Sequence, residues 1–160
     1  MTIAPNHQDT NDLFSQIIIK FDEQIQQQLD DDKPTKVVYA TYQKMLKVAP
    51  NNKRTKRLAT KITNLLLIKA EEQIAKQFYS TPKNNNAVST FKAILAITPD
   101  NTKANKGLKK IAKRYYRLAL RKYDAGYYET SMTWLKKGLK IIHDDPKLNE
   151  LKQKVIEQLK

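Results

Sequence analysis

Cysteine is absent from the 160 residues, which excludes a disulfide scaffold, Cys-ligated zinc and thiol catalysis while leaving both cytosol and periplasm open as compartments. Glycine occurs three times and proline six, too few for the many tight turns of a β-sandwich or barrel. No apolar run approaches the roughly 18 residues of a membrane span, and the opening MTIAPNHQDTND has no basic start followed by an apolar stretch, so neither a transmembrane segment nor a signal peptide is expected. Histidine is nearly missing, with His7 near the start and His143 at an expected helix end, where capping of helix carbonyls is the favoured role over metal binding. There is no Gly-rich phosphate loop, no catalytic carboxylate pair and no Ser-His-Asp order, so the expectation is a protein that is not an enzyme and has no cofactor or metal. Asp30, Asp31 and Asp32 read as a polar turn rather than a cation site.

What is present points to helices. Apolar residues make up 40% and charged residues 29% of the chain, enough of the former to escape the composition of disordered segments. Apolar residues recur at helical spacing through most of the sequence. Residues 1–10 lack that periodicity and are expected to form a disordered tail. From Asn11 or Asp12 onward a single domain, 11–160, is expected, with helix hairpins over about 11–49, 52–98 and 101–143 and a capping helix over 146–160. Pro34 and Pro146 suit helix starts, Pro50 and Pro99 suit helix ends. Gly126 suits the left-handed residue that closes a helix. The helix after Asn52 reads as continuing to about Tyr79, with a break near Thr63 and Asn64 as the alternative given its length. Trp134, the sole tryptophan, reads as half-buried packing, with an exposed anchor as the alternative.

The hairpins echo one another. A shift of 49 places Tyr42 on Phe91, Met45 on Ile94, Pro50 on Pro99, Asn52 on Asn101, Ile62 on Ile111 and Ala70 on Ala119. A shift of 44 then places Phe91 on Leu135, Leu95 on Leu139, Asp100 on Asp144 and Ile111 on Val155. Repeats of this length mark a helical solenoid, in which each hairpin buries its apolar face against its neighbours. In the third copy Tyr115, Leu118, Ala119, Gly126, Tyr128, Ser131, Leu135 and Gly138 stand in the pattern of the tetratricopeptide repeat, which this stretch resembles, and ITPDNTKANKGLKKIAKRYYRLA looks like bacterial variants with a lengthened first helix. Ala75, Ala87, Phe91 and Pro99 match part of the pattern in the second copy. The resemblance implies an all-α fold, a right-handed α-solenoid of three antiparallel helix hairpins plus a C-terminal capping helix. It also implies a protein-binding scaffold, of a kind that in bacteria often belongs to larger envelope or signalling assemblies. Localisation is otherwise taken as cytoplasmic by default.

Charge is unevenly spread. Residues 1–32 carry seven acids against Lys20, a balance of −6, and the remainder carries +20. Between Lys103 and Lys122 there are nine bases and no acid, and Lys103, Lys106, Lys110, Lys113, Arg117 and Arg121 follow one another at steps of three or four, forming one stripe. The plain reading is a solvated face. The resemblance implies instead that the first helix of a repeat lines a concave groove, so Lys103, Lys106, Lys110, Lys113, Arg114, Arg117 and Arg121 become the candidate ligand-binding residues for a protein partner with an acidic segment. Arginine would take a carboxylate bidentately and lysine as a point charge. Two other partners are open: a second copy, through the acidic N-terminal helix, and nucleic acid or an anionic membrane surface bound by helix 103–122, with nearby tyrosines stacking on bases.

Overall fold

A computed structural model describes residues 7–31, 33–50 and 52–160. These form seven α-helices: α1 (His7–Asp30), α2 (Thr35–Val48), α3 (Lys53–Ala75), α4 (Ala87–Ile97), α5 (Thr102–Asp124), α6 (Tyr128–Leu139) and α7 (Pro146–Gln158). No strand occurs among the described residues. The all-α expectation therefore holds, and the helices pack chiefly on their sequence neighbours, α1 on α2, α3 on α4, α5 on α6 and α6 on α7. That arrangement is compatible with a helical-repeat fold. The chain divides into two compact units, 1–99 and 100–160. Helix α1 begins at His7, before the expected Asn11, while residues 1–6 of the expected tail, together with Asp32 and Asn51, lie outside the described residues.

The sequence repeat reappears as helix boundaries. α3 and α5 are both 23 residues long, and the shift of 49 carries Lys53–Ala75 onto Thr102–Asp124. Each begins behind an asparagine whose side chain accepts a backbone N–H, Asn52 from Arg54 at 2.8 Å and Asn101 from Ala104 at 2.9 Å. Asp145, one further repeat along, caps α7 by accepting the N–H of Leu148 at 3.0 Å. Such caps satisfy donors the helix cannot, each contributing about 1 kcal/mol. α3 is unbroken and ends at Ala75, short of the expected Tyr79, because Gln77 adopts φ 60. Gln77 N–H donates to Ile74 O at 3.0 Å and Phe78 N–H to Gln73 O at 2.7 Å, which is the paired closure of a Schellman motif. Gly126, at φ 78, closes α5 in the same way, with Gly126 N–H on Tyr123 O at 2.9 Å and Tyr127 N–H on Lys122 O at 2.8 Å.

In the first unit the core gathers Ile18, Ile25, Val38, Met45, Ile62, Leu66, Ala70 and Ile94, all nearly inaccessible. A chain of polar groups threads it. Thr90 Oγ1 donates to Gln73 Oε1 at 2.7 Å, which leaves the Thr35 hydroxyl to donate to Thr90 at 2.8 Å, and Gln73 Nε2 donates to Asn85 Oδ1 at 2.8 Å. Buried Lys69 donates to Lys33 O at 3.0 Å. The first three bonds join the start of α2, α3, α4 and the loop before α4 in one chain, and the Lys69 bond separately ties α3 to the residue before α2, so these buried polar groups are partnered, the condition under which they stabilise rather than cost.

In the second unit Ala112, Ala119, Leu135, Leu148, Leu151 and Val155 form the core. Buried Ser131 donates to Ala119 O at 2.8 Å and joins α6 to α5. Gly138 allows α7 to approach closely, since a Cβ there would lie 2.9 Å from both Leu148 methyls. Trp134 is half-buried as expected, stacked on Tyr115 at 5.8 Å between centroids, with Lys137 Nζ 4.4 Å from its ring. α6 stops at Leu139, so Ile142 and His143 belong to the turn before α7 rather than to a longer return helix. His143 does not cap α6: its ring Nδ1 lies 2.8 Å from Asp144 Oδ1 and both side chains are exposed.

Candidate functional site

Helix α5 sorts its residues into two faces. Ala104, Leu108, Ile111, Ala112, Tyr115 and Ala119 are buried. The side chains of Lys103, Lys106, Lys109, Lys110, Lys113, Arg114, Arg117 and Arg121 are exposed and lie off that buried arc, and Lys122, in angular line with Ala104, is exposed in the last turn of the helix. Among the described residues, Lys103, Lys106, Lys109, Lys110, Lys113 and Arg117 have no carboxylate within ion-pairing distance. The first turn of α5 carries no acid, so Lys103 also opposes the positive end of the helix macrodipole. Like charges spaced by three or four add a few tenths of a kcal/mol of repulsion per pair. The helix thus holds a concentrated positive field with no close ion pair to a described carboxylate at these six residues.

Three of these cations share a cleft of about 470 Å³ within the second unit. Lys109, Lys113, Tyr116 and Arg117 of α5 form one wall, and Ile142, Asp144, Asp145, Pro146 and Lys147 of the turn into α7 form the other. Lys113 and Arg117 were expected in a site from the stripe. Lys109 falls outside the stripe, though it stands one turn before Lys113, and Tyr116 borders Lys109 on the side nearer the core. Ile142 and Asp144 enter only because α6 ends at Leu139 and frees the segment after it to form the opposite wall. Arg121 instead borders a separate hollow with Leu118, Lys122 and Ala125. Lys103, Lys106, Lys110 and Arg114 line neither, so the expected site residues form an exposed face rather than one pocket.

The cleft's neighbours are electrostatically settled. Beyond Lys147 a smaller hollow holds Tyr116, Leu120, Tyr123, Glu150 and Lys154. There Lys154 Nζ lies 2.8 Å from Glu150, and that hydrogen bond holds the Glu150 carboxyl below its ordinary value and lifts the Lys154 ammonium above its own. The acids of the cleft are only partly engaged: Asp145 caps α7, while exposed Asp144 contacts His143.

The first unit offers an internal comparison. The shift of 49 maps Arg54, Arg57 and Lys61 of α3 onto Lys103, Lys106 and Lys110 of α5. Those three residues, with Leu58, face Ile18, Ile19 and Asp22 of α1 across a cleft of about 210 Å³, and Lys61 Nζ lies 3.4 Å from Asp22 Oδ1. The acidic helix therefore supplies a counter-charge to α3. No group of three or more His, Asp or Glu side chains placed to hold a metal occurs among the described residues, and none of the described helices is long and apolar enough to cross a membrane. Comparison with protein-family models, curated proteins and solved structures finds no match to this chain.

Proposed function

We propose that this chain is a non-enzymatic protein-interaction module, an α-solenoid of the tetratricopeptide-like kind, that binds an acidic segment of a partner along the basic face of α5. The observation that carries this reading is the exposed run of Lys103, Lys106, Lys110, Lys113 and Arg117 with no described carboxylate in ion-pairing reach. A helix that bears such repulsion gains when an anion docks. The α1–α3 contact supports the choice of ligand class, because there Lys61, the repeat equivalent of Lys110, already receives the Asp22 carboxylate from a helix that also presents Ile18 and Ile19.

The test compares wild type with a protein in which Lys110, Lys113 and Arg117 are each changed to Glu, after circular dichroism shows equal helicity. An acidic peptide, a single-stranded oligonucleotide and anionic vesicles are titrated against both. Binding of the peptide to wild type and its loss on charge reversal are expected. Tight binding of oligonucleotide or vesicles with no binding of peptide would replace this reading by recognition of nucleic acid or an anionic membrane surface.

A further inference from the structure

The cleft between α5 and the turn into α7 has a chemistry narrower than the stripe that borders it. One wall carries Lys109, Lys113 and Arg117, the other carries Asp144 and Asp145 with Lys147 after them, and Tyr116, Ile142 and Pro146 supply apolar surface. Tyr116 and Ile142 also pack partly against the core of the unit, which fixes them in place. From Lys109 to Arg117 the wall runs eight residues along a helix, about 12 Å at 1.5 Å per residue. An extended peptide covers that length in about four residues. At about 470 Å³ the space falls within the range of roughly 300–1,000 Å³ that encloses small ligands.

From this arrangement we infer that the cleft is a docking site for a short extended peptide segment of mixed charge: acidic side chains toward Lys109, Lys113 and Arg117, one large apolar side chain against Tyr116, Ile142 and Pro146, and a basic side chain toward Asp144. The inference rests on the acidic-segment reading above and narrows it. A uniformly anionic chain such as a phosphodiester backbone would set negative charge against Asp144 and Asp145, the part of the second wall before Pro146 and Lys147, and like charges juxtaposed at an interface disfavour the wrong partner. The apolar surface between the walls selects for a side chain that a bare polyanion lacks. The first unit shows the same pairing within the chain, where α1 presents Ile18 and Ile19 together with Asp22 to the bases of α3.

The experiment uses the full chain, labelled with nitrogen-15, and the probe is the end-blocked peptide Gly-Asp-Phe-Asp-Lys-Gly. Shift changes are expected at the backbone amides of Lys113, Tyr116, Arg117 and Ile142. Replacing the peptide's Phe by Ala should weaken binding about tenfold, the equivalent of burying much of an aromatic side chain. Lys113→Glu and Arg117→Glu should each weaken it roughly tenfold and more than Lys103→Glu does, with Lys136→Glu on α6 as the unaffected control. Asp144→Lys gives the sign: it should weaken the mixed peptide several-fold and strengthen a version in which the peptide's Lys is replaced by Asp. If Asp144→Lys strengthens both peptides, or if Lys103→Glu matters more than Lys113→Glu, the cleft assignment falls and the broader acidic-segment reading stands. If neither peptide perturbs any amide, both fall.

Discussion

Two residues at equivalent places in the repeat solve the same backbone problem with different chemistry. Gln77 and Gly126 both occupy the left-handed region, at φ 60 and φ 78, and each closes a 23-residue helix. A side chain in that conformation costs about 1–2 kcal/mol that glycine does not incur, partly countered by the larger entropy glycine loses on folding. Gln77→Gly should therefore raise stability by roughly 0.5–1 kcal/mol, and Gly126→Ala should lower it by about 1 kcal/mol. A Cβ at Gly126 has no atom within 4 Å, so that loss is conformational. Thermal or denaturant melts of the two variants, with opposite signs, check the pair. Periodicity alone carries α3 on to Tyr79 because glutamine has no turn signal of its own, yet the shift of 49 that aligns the repeats places Gln77 on Gly126. The repeat held information that local propensity lacked.

The Tyr42 phenol is held above its ordinary value by burial and secondarily by the nearby Tyr39. The Tyr42 group loses more by ionising in the folded protein than in the unfolded chain, so the folded state binds the extra proton above about pH 10. Stability from this group is fully present below that pH and declines as pH rises through the raised value. An absorbance titration of the phenolates should carry a late component, above the ordinary tyrosine range, that belongs to Tyr42. In Tyr42→Phe that late component should disappear, and the fall in stability at alkaline pH should shrink.

Between helices of the first unit runs the polar chain from Thr35 through Thr90 and Gln73 to Asn85. Thr90→Val keeps the shape and removes the hydroxyl that both accepts from Thr35 and donates to Gln73, leaving a buried carbonyl and a buried hydroxyl without their partner. Each orphaned group costs about 1–3 kcal/mol, so a loss of roughly 2–6 kcal/mol is expected in chemical denaturation. Thr35→Val together with Thr90→Val removes one of those orphans and should cost less than the two single losses added, a non-additivity typical of contacting partners. None of this network was legible in the sequence, where Thr35, Gln73 and Thr90 carry no motif and meet only through tertiary packing. The apolar periodicity, the Asn52, Asn101 and Asp145 caps and the Pro146 start were legible, because each is a local matter of spacing or of a side chain reaching its own helix. The cleft was half legible: the Lys113 and Arg117 wall follows from helical spacing, but the Ile142 and Asp144 wall depends on where α6 stops.

At the scale of the whole chain, charge governs how a partner is met and contact chemistry governs whether it stays. The net charge of +14, with −6 on residues 1–32, makes the rest of the chain attractive to any anion at low salt. The acidic helix cannot be deleted to probe this, since Ile18 and Ile25 of α1 are buried in the first unit, whereas exposed Asp12, Glu23 and Asp31 can be neutralised without disturbing the core. Screening separates the two kinds of binding. At 0.15 M ionic strength the Debye length is about 8 Å, so contacts spread over the exposed Lys103, Lys106 and Lys110 weaken steeply. A segment seated against Tyr116 and Ile142 keeps its apolar contribution and the short-range pairs around it. Titrations from low to physiological salt should therefore show oligonucleotide affinity collapsing, while affinity for a peptide of mixed charge with an apolar residue falls only a few-fold. Association rates should drop for both, since steering is long-range. If peptide affinity falls as steeply as that of the oligonucleotide, the basic surface is acting as an unselective polyanion attractor and the cleft contributes no selectivity.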